Sequence, residues 1–143
     1  MTAGTMARIP LLVAILFVLV AWVTPSQAQI HKLRAEAFAY KYVLDGEWTD
    51  WTDWEDVSII VTIDTDKERI KIYSKETQIY HMAKDAGKSI DEDGDETWEI
   101  LCIDEDGKEC SVRLVILHSQ GNQGQLYVDY PEMTFVYNVA PLE

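Results

Sequence analysis

The sequence predicts an all-β domain: an antiparallel, up-and-down meander of about eight strands that closes into a small barrel. Apolar and polar residues alternate with a period of two, and Asp, Gly, Asn or Pro interrupts this alternation about every eight to twelve residues. No segment shows a convincing helical period. About eight short strands in one domain suit a small closed barrel, and a two-sheet β-sandwich is the alternative architecture.

The first 28 residues have the layout of a secretory signal peptide. Arg8 gives a basic start, residues 9–23 are almost entirely apolar, and Ser26 and Ala28 are the small residues expected before a cleavage site. A single membrane anchor is the alternative, but the apolar run is shorter than the roughly 20 residues that a spanning helix needs. We predict a signal peptide over residues 1–28 and a secreted or periplasmic domain, without a stable membrane anchor, over residues 29–143.

Charge restricts the partners of the predicted mature domain. Residues 29–143 carry all 25 acidic side chains and, with Arg8 set aside, 11 of the 12 basic ones, a formal charge of −14. Such a surface repels phosphate backbones and anionic membranes, so nucleic acid is not an expected partner. No repeat, linker or low-complexity segment divides these residues, which therefore form one predicted domain.

The first predicted strand covers residues 32–44, and the next two, residues 57–63 and 69–73, form a hairpin. With Asp66-Lys67 as a two-residue turn, one face of the hairpin is apolar and the other is mixed, as a half-buried hairpin requires. Three aromatic residues share one face of the first strand: Phe38, Tyr40 and Tyr42. The opposite pairs of the hairpin are Ile63 with Ile70, Val61 with Ile72, and Thr62 with Lys71.

A second hairpin joins residues 98–103 to residues 110–118 across a three-residue loop with Gly107 in the left-handed conformation. This register places Cys102 opposite Cys110, which predicts a cross-strand disulfide in an oxidising compartment; two buried thiols are the alternative. The register also pairs opposite charges and apolar groups. The other opposite pairs are Asp104 with Lys108, Ile100 with Val112, Glu99 with Arg113, and Trp98 with Leu114.

The remaining segments are predicted from shorter patterns. Residues 77–82 form a short strand, followed by a short helical turn near residues 83–87. Residues 125–130 and 134–139 form a closing hairpin joined by Pro131-Glu132.

Residues 63–74 and 135–139 resemble small secreted proteins of unknown function from the Bacteroides group. At the level of the whole pattern, the chain is similar to the calycins, which include the lipocalins and fatty-acid-binding proteins. This resemblance implies a barrel that binds a ligand, and it implies no catalytic residues. The lipocalin G-x-W motif does not open the first strand, because Gly46-Glu47-Trp48 follows the first apolar run.

Three tryptophans, Trp48, Trp51 and Trp54, lie in the motif W-T-D-W-T-D-W. Their spacing of three does not alternate as a strand would, and three large rings are costly to leave in water. The favoured interpretation is that they plug one end of the barrel or cover an edge, with Trp54 as the most structural ring. The alternative is a stacking platform or lid for a flat or apolar ligand.

The acidic run at residues 91–96 offers oxygen ligands at alternate positions: Asp91, Asp93 and Asp95. An EF-hand loop has glycine at its sixth position and glutamate at its twelfth, whereas here Gly94 is fourth and Cys102 is twelfth. The sequence therefore predicts a hairpin turn with at most weak, non-specific calcium binding, and no metal or other cofactor.

No catalytic constellation is recognisable. The three histidines, His31, His81 and His118, have no metal-ligand spacing, and nucleophile, zinc-protease and phosphate-loop motifs are absent from the sequence. We predict a non-enzymatic protein, either an interaction module that meets an unidentified protein through its surface or a binder of a small apolar ligand. An enzyme with an unrecognised site is the alternative. Bulky residues expected to face inward favour a filled interior: Trp98, Ile100, Leu114 and Ile116.

Overall fold

A computed structural model describes residues 30–142 of the chain. The predicted signal peptide and its cleavage site after Ala28 lie outside these residues. Within the described part no helix has the length and apolar character needed to cross a membrane. The helical content of residues 30–142 is a single 3-10 turn, His118–Gln120, and strands dominate as predicted.

Eight of the nine strands form a closed antiparallel barrel. Each strand pairs with the next along the chain, and the last pairs with the first, so the predicted meander and its closure are confirmed and the sandwich is wrong. The two-residue β2 is an extra strand that pairs with the end of β1. The strands are β1 (Ile30–Leu44), β2 (Glu47–Trp48), β3 (Glu55–Asp64), β4 (Arg69–Tyr73), β5 (Thr77–Ile90), β6 (Glu96–Asp104), β7 (Glu109–Leu117), β8 (Gln123–Asp129) and β9 (Met133–Pro141).

The long β1 strand closes the barrel because it has partners on both sides. It pairs with β3 up to Phe38 and with β9 from Leu33 to Tyr42. Beyond Phe38 the edge that β3 leaves is taken by β2 and the residues that follow it. A register shift between Ala35 and Ala37 lets both neighbours follow the curvature of the wall.

Both predicted hairpin registers are confirmed. In the β3–β4 pair Ile63 lies opposite Ile70, and in the β6–β7 pair Cys102 lies opposite Cys110. Gly107 has a φ of 80°, the left-handed conformation that the three-residue loop requires. These pairs are decided by residues close in sequence, since a shift of one residue would turn the apolar face toward water.

The region after residue 82 differs from the prediction. β5 continues to Ile90, and no helical turn forms near residues 83–87. Two register shifts interrupt its pairing with β6, and Gly87 has a φ of 98° at the second. Asp85 Oδ1 accepts the N–H of Gly87 at 2.8 Å and the indole N–H of Trp98 at 2.8 Å. Each bulge inserts an extra residue, which breaks the alternation with a period of two, so the sequence pattern here resembles that of a turn.

Side chains fill the barrel interior. Completely buried aliphatic residues from five strands belong to one core cluster, against which Trp98 and Leu114 are packed while partly buried. A polar chain lies near one end: Tyr80 Oη donates to Gln78 Oε1 at 2.6 Å, and Gln78 Nε2 donates to Tyr137 Oη at 3.2 Å. Ile100 is buried and Ile116 is half-buried. The completely buried aliphatic core residues are Ala35, Val61, Ile70, Ile72, Val112, Leu126 and Val128.

Candidate functional site

The three tryptophans lie at one end of the barrel, which we call the tryptophan end. In a closed antiparallel meander every second connection reaches the same end. The connections at this end are residues 45–54, 74–76, 105–108 and 130–132, and those at the opposite end are residues 65–68, 91–95 and 118–122.

Two threonines attach residues 48–54, the tryptophan segment, to the edge of β1. Thr49 N donates to Tyr42 O at 2.8 Å and Thr52 N donates to Tyr40 O at 2.9 Å. In return each threonine Oγ1 accepts the N–H of the same tyrosine at 3.0 Å. The hydroxyl groups thus replace backbone carbonyls as the acceptors for the strand edge.

This attachment explains the spacing of three in W-T-D-W-T-D-W. Thr49 bonds Tyr42 and Thr52 bonds Tyr40, so the segment advances three residues for every two of β1. Glu55, three residues after Thr52, pairs with Phe38, two residues before Tyr40. The backbone therefore covers the edge of β1, one of the two structural roles predicted for this motif.

The tryptophan side chains do not enter the interior. Trp48, Trp51 and Trp54 are 48%, 41% and 49% exposed. Trp54, expected to be the most structural ring, is thus as exposed as Trp48, and no ring plugs the barrel. The backbone of the segment continues along the edge of β1 that β3 leaves at Phe38, and the ring of Trp51 contacts Tyr127, which faces outward from the wall.

An aromatic and cationic layer crosses the outer wall. The ammonium of Lys41 lies 5.4 Å from the ring centre of Trp48 and 4.8 Å from that of Trp51. Trp51 meets the ring of Tyr127 on β8 edge-on, with 6.2 Å between centres. The guanidinium of Arg113 on β7 lies 4.2 Å from the centre of Tyr127. Three of these five residues, Lys41, Tyr127 and Arg113, come from outside the motif, and sequence analysis did not assign them to this surface. The available signal was the alternation with a period of two, which turns residues 113 and 127 outward.

A bidentate ion pair and a buried valine support this aromatic and cationic layer. Arg113 donates from Nε to Asp129 Oδ2 at 2.6 Å and from Nη2 to Asp129 Oδ1 at 3.2 Å, a bidentate pair that raises the pKa of Arg113. Val136 lies opposite both Tyr127 and Ala39, and it is only 2% exposed although its strand neighbours face the core. Ala39, Val136 and Tyr127 thus form a row across β1, β9 and β8. The ring of Trp51 reaches Tyr127 only by crossing Ala39 and Val136, which explains why Val136 is buried although it faces outward.

Six carboxylates surround the tryptophan segment, and all are exposed. Among residues 30–142 none of the six forms an ion pair. The ammonium of Lys41, the base that contacts the tryptophans, already lies over the rings of Trp48 and Trp51. The surface is consequently aromatic and strongly negative. The six are Asp45, Glu47, Asp50, Asp53, Glu55 and Asp56.

A cleft of about 680 Å³ lies at the same end, between the β6–β7 and β8–β9 connections. Tyr130 Oη donates to Asp104 Oδ2 at 2.7 Å, and this bond, with the backbone N–H groups of Asp106 and Lys108, lowers the pKa of Asp104. Sequence analysis missed the cleft because its lining comes from two separate hairpins. The lining residues are Asp104, Asp106, Lys108, Glu109, Tyr130, Pro131, Glu132 and Met133.

The predicted acidic turn brings Asp91, Asp93 and Asp95 together, with one oxygen of each within 4.8 Å of the others. Asp91 Oδ1 accepts the N–H groups of Asp93 and Asp95 at 2.9 and 3.0 Å. Asp95 accepts the N–H of Ser119 at 2.9 Å and its hydroxyl through both oxygens, contacts that lower the pKa of Asp95. These bonds give the carboxylates of Asp91 and Asp95 a structural role, and weak calcium binding stays a prediction.

The predicted disulfide is not formed: Cys102 and Cys110 are buried free thiols. Asp104 N donates to Lys108 O at 2.9 Å, so the alternation of the ladder makes the cysteines a hydrogen-bonded pair, whose side chains lie farther apart than those of a non-hydrogen-bonded pair. Cys102 Sγ instead donates to Ile100 O at 3.7 Å. Burial raises the pKa of Cys102 to about 12 and that of Cys110 to about 11.

The histidines do not share a site. His81 lies 3.0 Å from a Glu105 oxygen at the tryptophan end, and His118 bonds Asn122 at 2.6 Å at the opposite end. No protein-family model, curated protein or solved structure matches this chain. The resemblance to calycins therefore stays a prediction, and the candidate surface is defined by its own geometry.

Proposed function

We propose that this chain is a non-enzymatic interaction module that binds a protein partner through the tryptophan segment. One observation carries the proposal: three tryptophans are 41–49% exposed on a segment that four hydrogen bonds fix to a barrel strand. Fixed aromatic rings lose little conformational entropy on binding, which is why tryptophan is enriched among the residues that dominate interfaces.

The filled interior supports a surface function over an interior ligand. Completely buried side chains from β3, β4, β7 and β8 meet in one cluster. A ligand in the same space would have to displace well-packed aliphatic groups, at a cost of the order of the burial energy of each, about 1.5–3 kcal/mol. The outer face needs no such rearrangement.

Site-specific photo-crosslinking tests the proposal. A benzophenone amino acid replaces Asp53, which leaves all three tryptophans in place, and in the control it replaces Ser89 on β5, exposed like Asp53 but near the opposite end. In cells that produce the protein we expect a discrete adduct from position 53 that disappears in the Trp48→Ala/Trp51→Ala background. The same adduct from position 89, or its survival in that background, would contradict the proposal.

The cleft favours a second candidate function, the binding of a small apolar ligand. Its volume of about 680 Å³ lies within the range of small-molecule sites, about 300–1,000 Å³, and Tyr130, Pro131 and Met133 supply apolar surface. Native mass spectrometry of protein purified from its own host tests it. A co-purifying small molecule that is lost in Met133→Asp supports this function, whereas the bare chain mass rejects it.

We also propose that the module acts outside the cytoplasm, after cleavage behind Ala28. The secreted form should begin at Gln29, and N-terminal mass analysis of the secreted or periplasmic fraction checks this. Intact Met1 in membrane-embedded protein would overturn the proposal.

A further inference from the structure

We propose that the tryptophan segment recognises a basic partner, a protein segment rich in arginine and lysine. This inference rests on the proposed function and specifies the chemistry of its partner. It follows from the juxtaposition of exposed indole rings with unpaired carboxylates on one fixed segment.

The molecule itself shows that these rings accept a cation. Lys41 Nζ lies 5.4 Å and 4.8 Å from the centres of Trp48 and Trp51, within the distance at which an ammonium is attracted by the face of an indole. In the described part of the chain no cation lies over Trp54, which is 49% exposed. Trp54 therefore offers a ring face to a cation from another molecule.

The carboxylates make the same surface negatively charged. Asp50 and Asp53 lie between the tryptophans in sequence, both are exposed, and within residues 30–142 neither has a basic partner. A guanidinium placed over an indole would reach a neighbouring carboxylate as well, so one side chain would gain two favourable contacts. Arginine fits best because its planar group both stacks on aromatic rings and donates in a fork.

Other partners fit this surface less well. Phosphate groups of nucleic acid or anionic lipid would meet the six unpaired carboxylates as like charges. A purely apolar partner would bury carboxylates without compensation, which is costly. A basic segment neutralises them and is drawn to the surface from a distance set by ionic strength.

The test uses fluorescently labelled octa-arginine as the probe, with octa-glutamate for comparison, and fluorescence anisotropy at low and high salt. Two variants have equal net charge: Asp50→Asn/Asp53→Asn at the surface, and Glu92→Gln/Asp93→Asn at the opposite end. We expect octa-arginine to bind, octa-glutamate not to bind, and added salt to weaken binding. Affinity should fall about five- to tenfold in the first variant, because two exposed ion pairs with the probe are lost, and less than about twofold in the second.

Trp54→Leu tests the aromatic contribution, because leucine keeps an apolar side chain at this position and removes the ring face. A loss of about threefold is expected for octa-arginine. Equal weakening by the two neutralised variants would show attraction by net charge alone and overturn the inference, as would absence of binding at low salt. If octa-arginine fails while the adduct at position 53 persists, only the basic partner is wrong; loss of that adduct rejects the proposed function.

Discussion

Two threonine hydroxyl groups determine the course of the tryptophan segment. Thr49 and Thr52 accept the N–H groups of Tyr42 and Tyr40 at 3.0 Å, where an ordinary strand would present carbonyls. The backbone is thereby lengthened by one residue for every two of β1, and every third residue repeats the same environment. Individual side chains, more than strand propensity, place the three rings on the outer wall.

The two cysteines should be shielded thiols. At pH 8 we expect no reaction with a thiol reagent in the folded protein and two reactive thiols after unfolding without reductant. The raised pKa values, about 12 for Cys102 and about 11 for Cys110, mean that their stabilising contribution is present below pH 9 and is lost as the pH rises through the folded values. Absence of reactive thiols in the unfolded, unreduced protein would show a disulfide instead.

Asp95 should matter for stability, whereas Asp93 should not. Asp95→Ala removes the acceptor for the N–H and hydroxyl of Ser119 and should lower the melting temperature. The lowered pKa means that this stabilisation is present above the ordinary carboxyl pKa of 3.8 and is lost as the pH falls through the folded value. Asp93→Ala, at an exposed position in the same turn, is the control, and equal melting temperatures of the two variants would contradict the assignment.

Among the elements, β5 departs furthest from a regular strand. Residues 77–81 pair with β4 and residues 80–90 pair with β6, so beyond residue 82 the partner of β5 is β6, with two bulges. Bulges and lysines, here Lys84 and Lys88, are devices that prevent an exposed strand edge from pairing with another molecule. The irregular course of β5 thus suits a strand that extends past the shorter β4.

Gly87 should be required by the second bulge. Its φ of 98° is unfavourable for any residue with a Cβ atom, although the space around it is open. Gly87→Ala should therefore destabilise the fold by about 1–2 kcal/mol through backbone strain alone. Denaturant unfolding measures this, with Ser89→Ala on the same strand expected within about 0.5 kcal/mol of wild type. An unchanged Gly87→Ala protein would show that the bulge relaxes to another conformation.

At the scale of the whole molecule, closure of the barrel separates large apolar side chains into an interior layer and an outer layer. Leu126 lies in the interior with no exposure, while Trp51 lies over Tyr127 on the outer wall. The interior layer stabilises the barrel, and the outer layer is available to a partner. This separation allows the surface to change without loss of the fold.

Stability measurements should reveal these two layers. Leu126→Ala should cost about 2–5 kcal/mol, as for a core aliphatic residue. Trp54→Ala should cost less than about 1 kcal/mol, because half of its surface is already in water. Chemical denaturation gives both values. A cost for Trp54→Ala equal to that for Leu126→Ala would make the tryptophan structural and remove the basis of the proposed surface.

The sequence by itself determined the strands and the local pairing. Alternation with a period of two predicted the all-β fold, and the residues around Asp66-Lys67 and Gly107 predicted two hairpin registers to the residue. It also predicted the closed meander, since eight sequential hairpin strands have few other ways to bury one face. These features depend on contacts between neighbours in sequence.

Only the tertiary structure decided what lies on each side of the wall. The rings of Trp48, Trp51 and Trp54 stay exposed because β3 leaves β1 at Phe38 and the tryptophan segment takes the vacated edge, an arrangement that no local pattern contains. The edge-on contact of Trp51 with Tyr127 joins residues that are 76 positions apart in the sequence. The thiols stay unbonded because the two cysteines form a hydrogen-bonded pair of the β6–β7 ladder. The side chains of such a pair lie farther apart than those of a non-hydrogen-bonded pair.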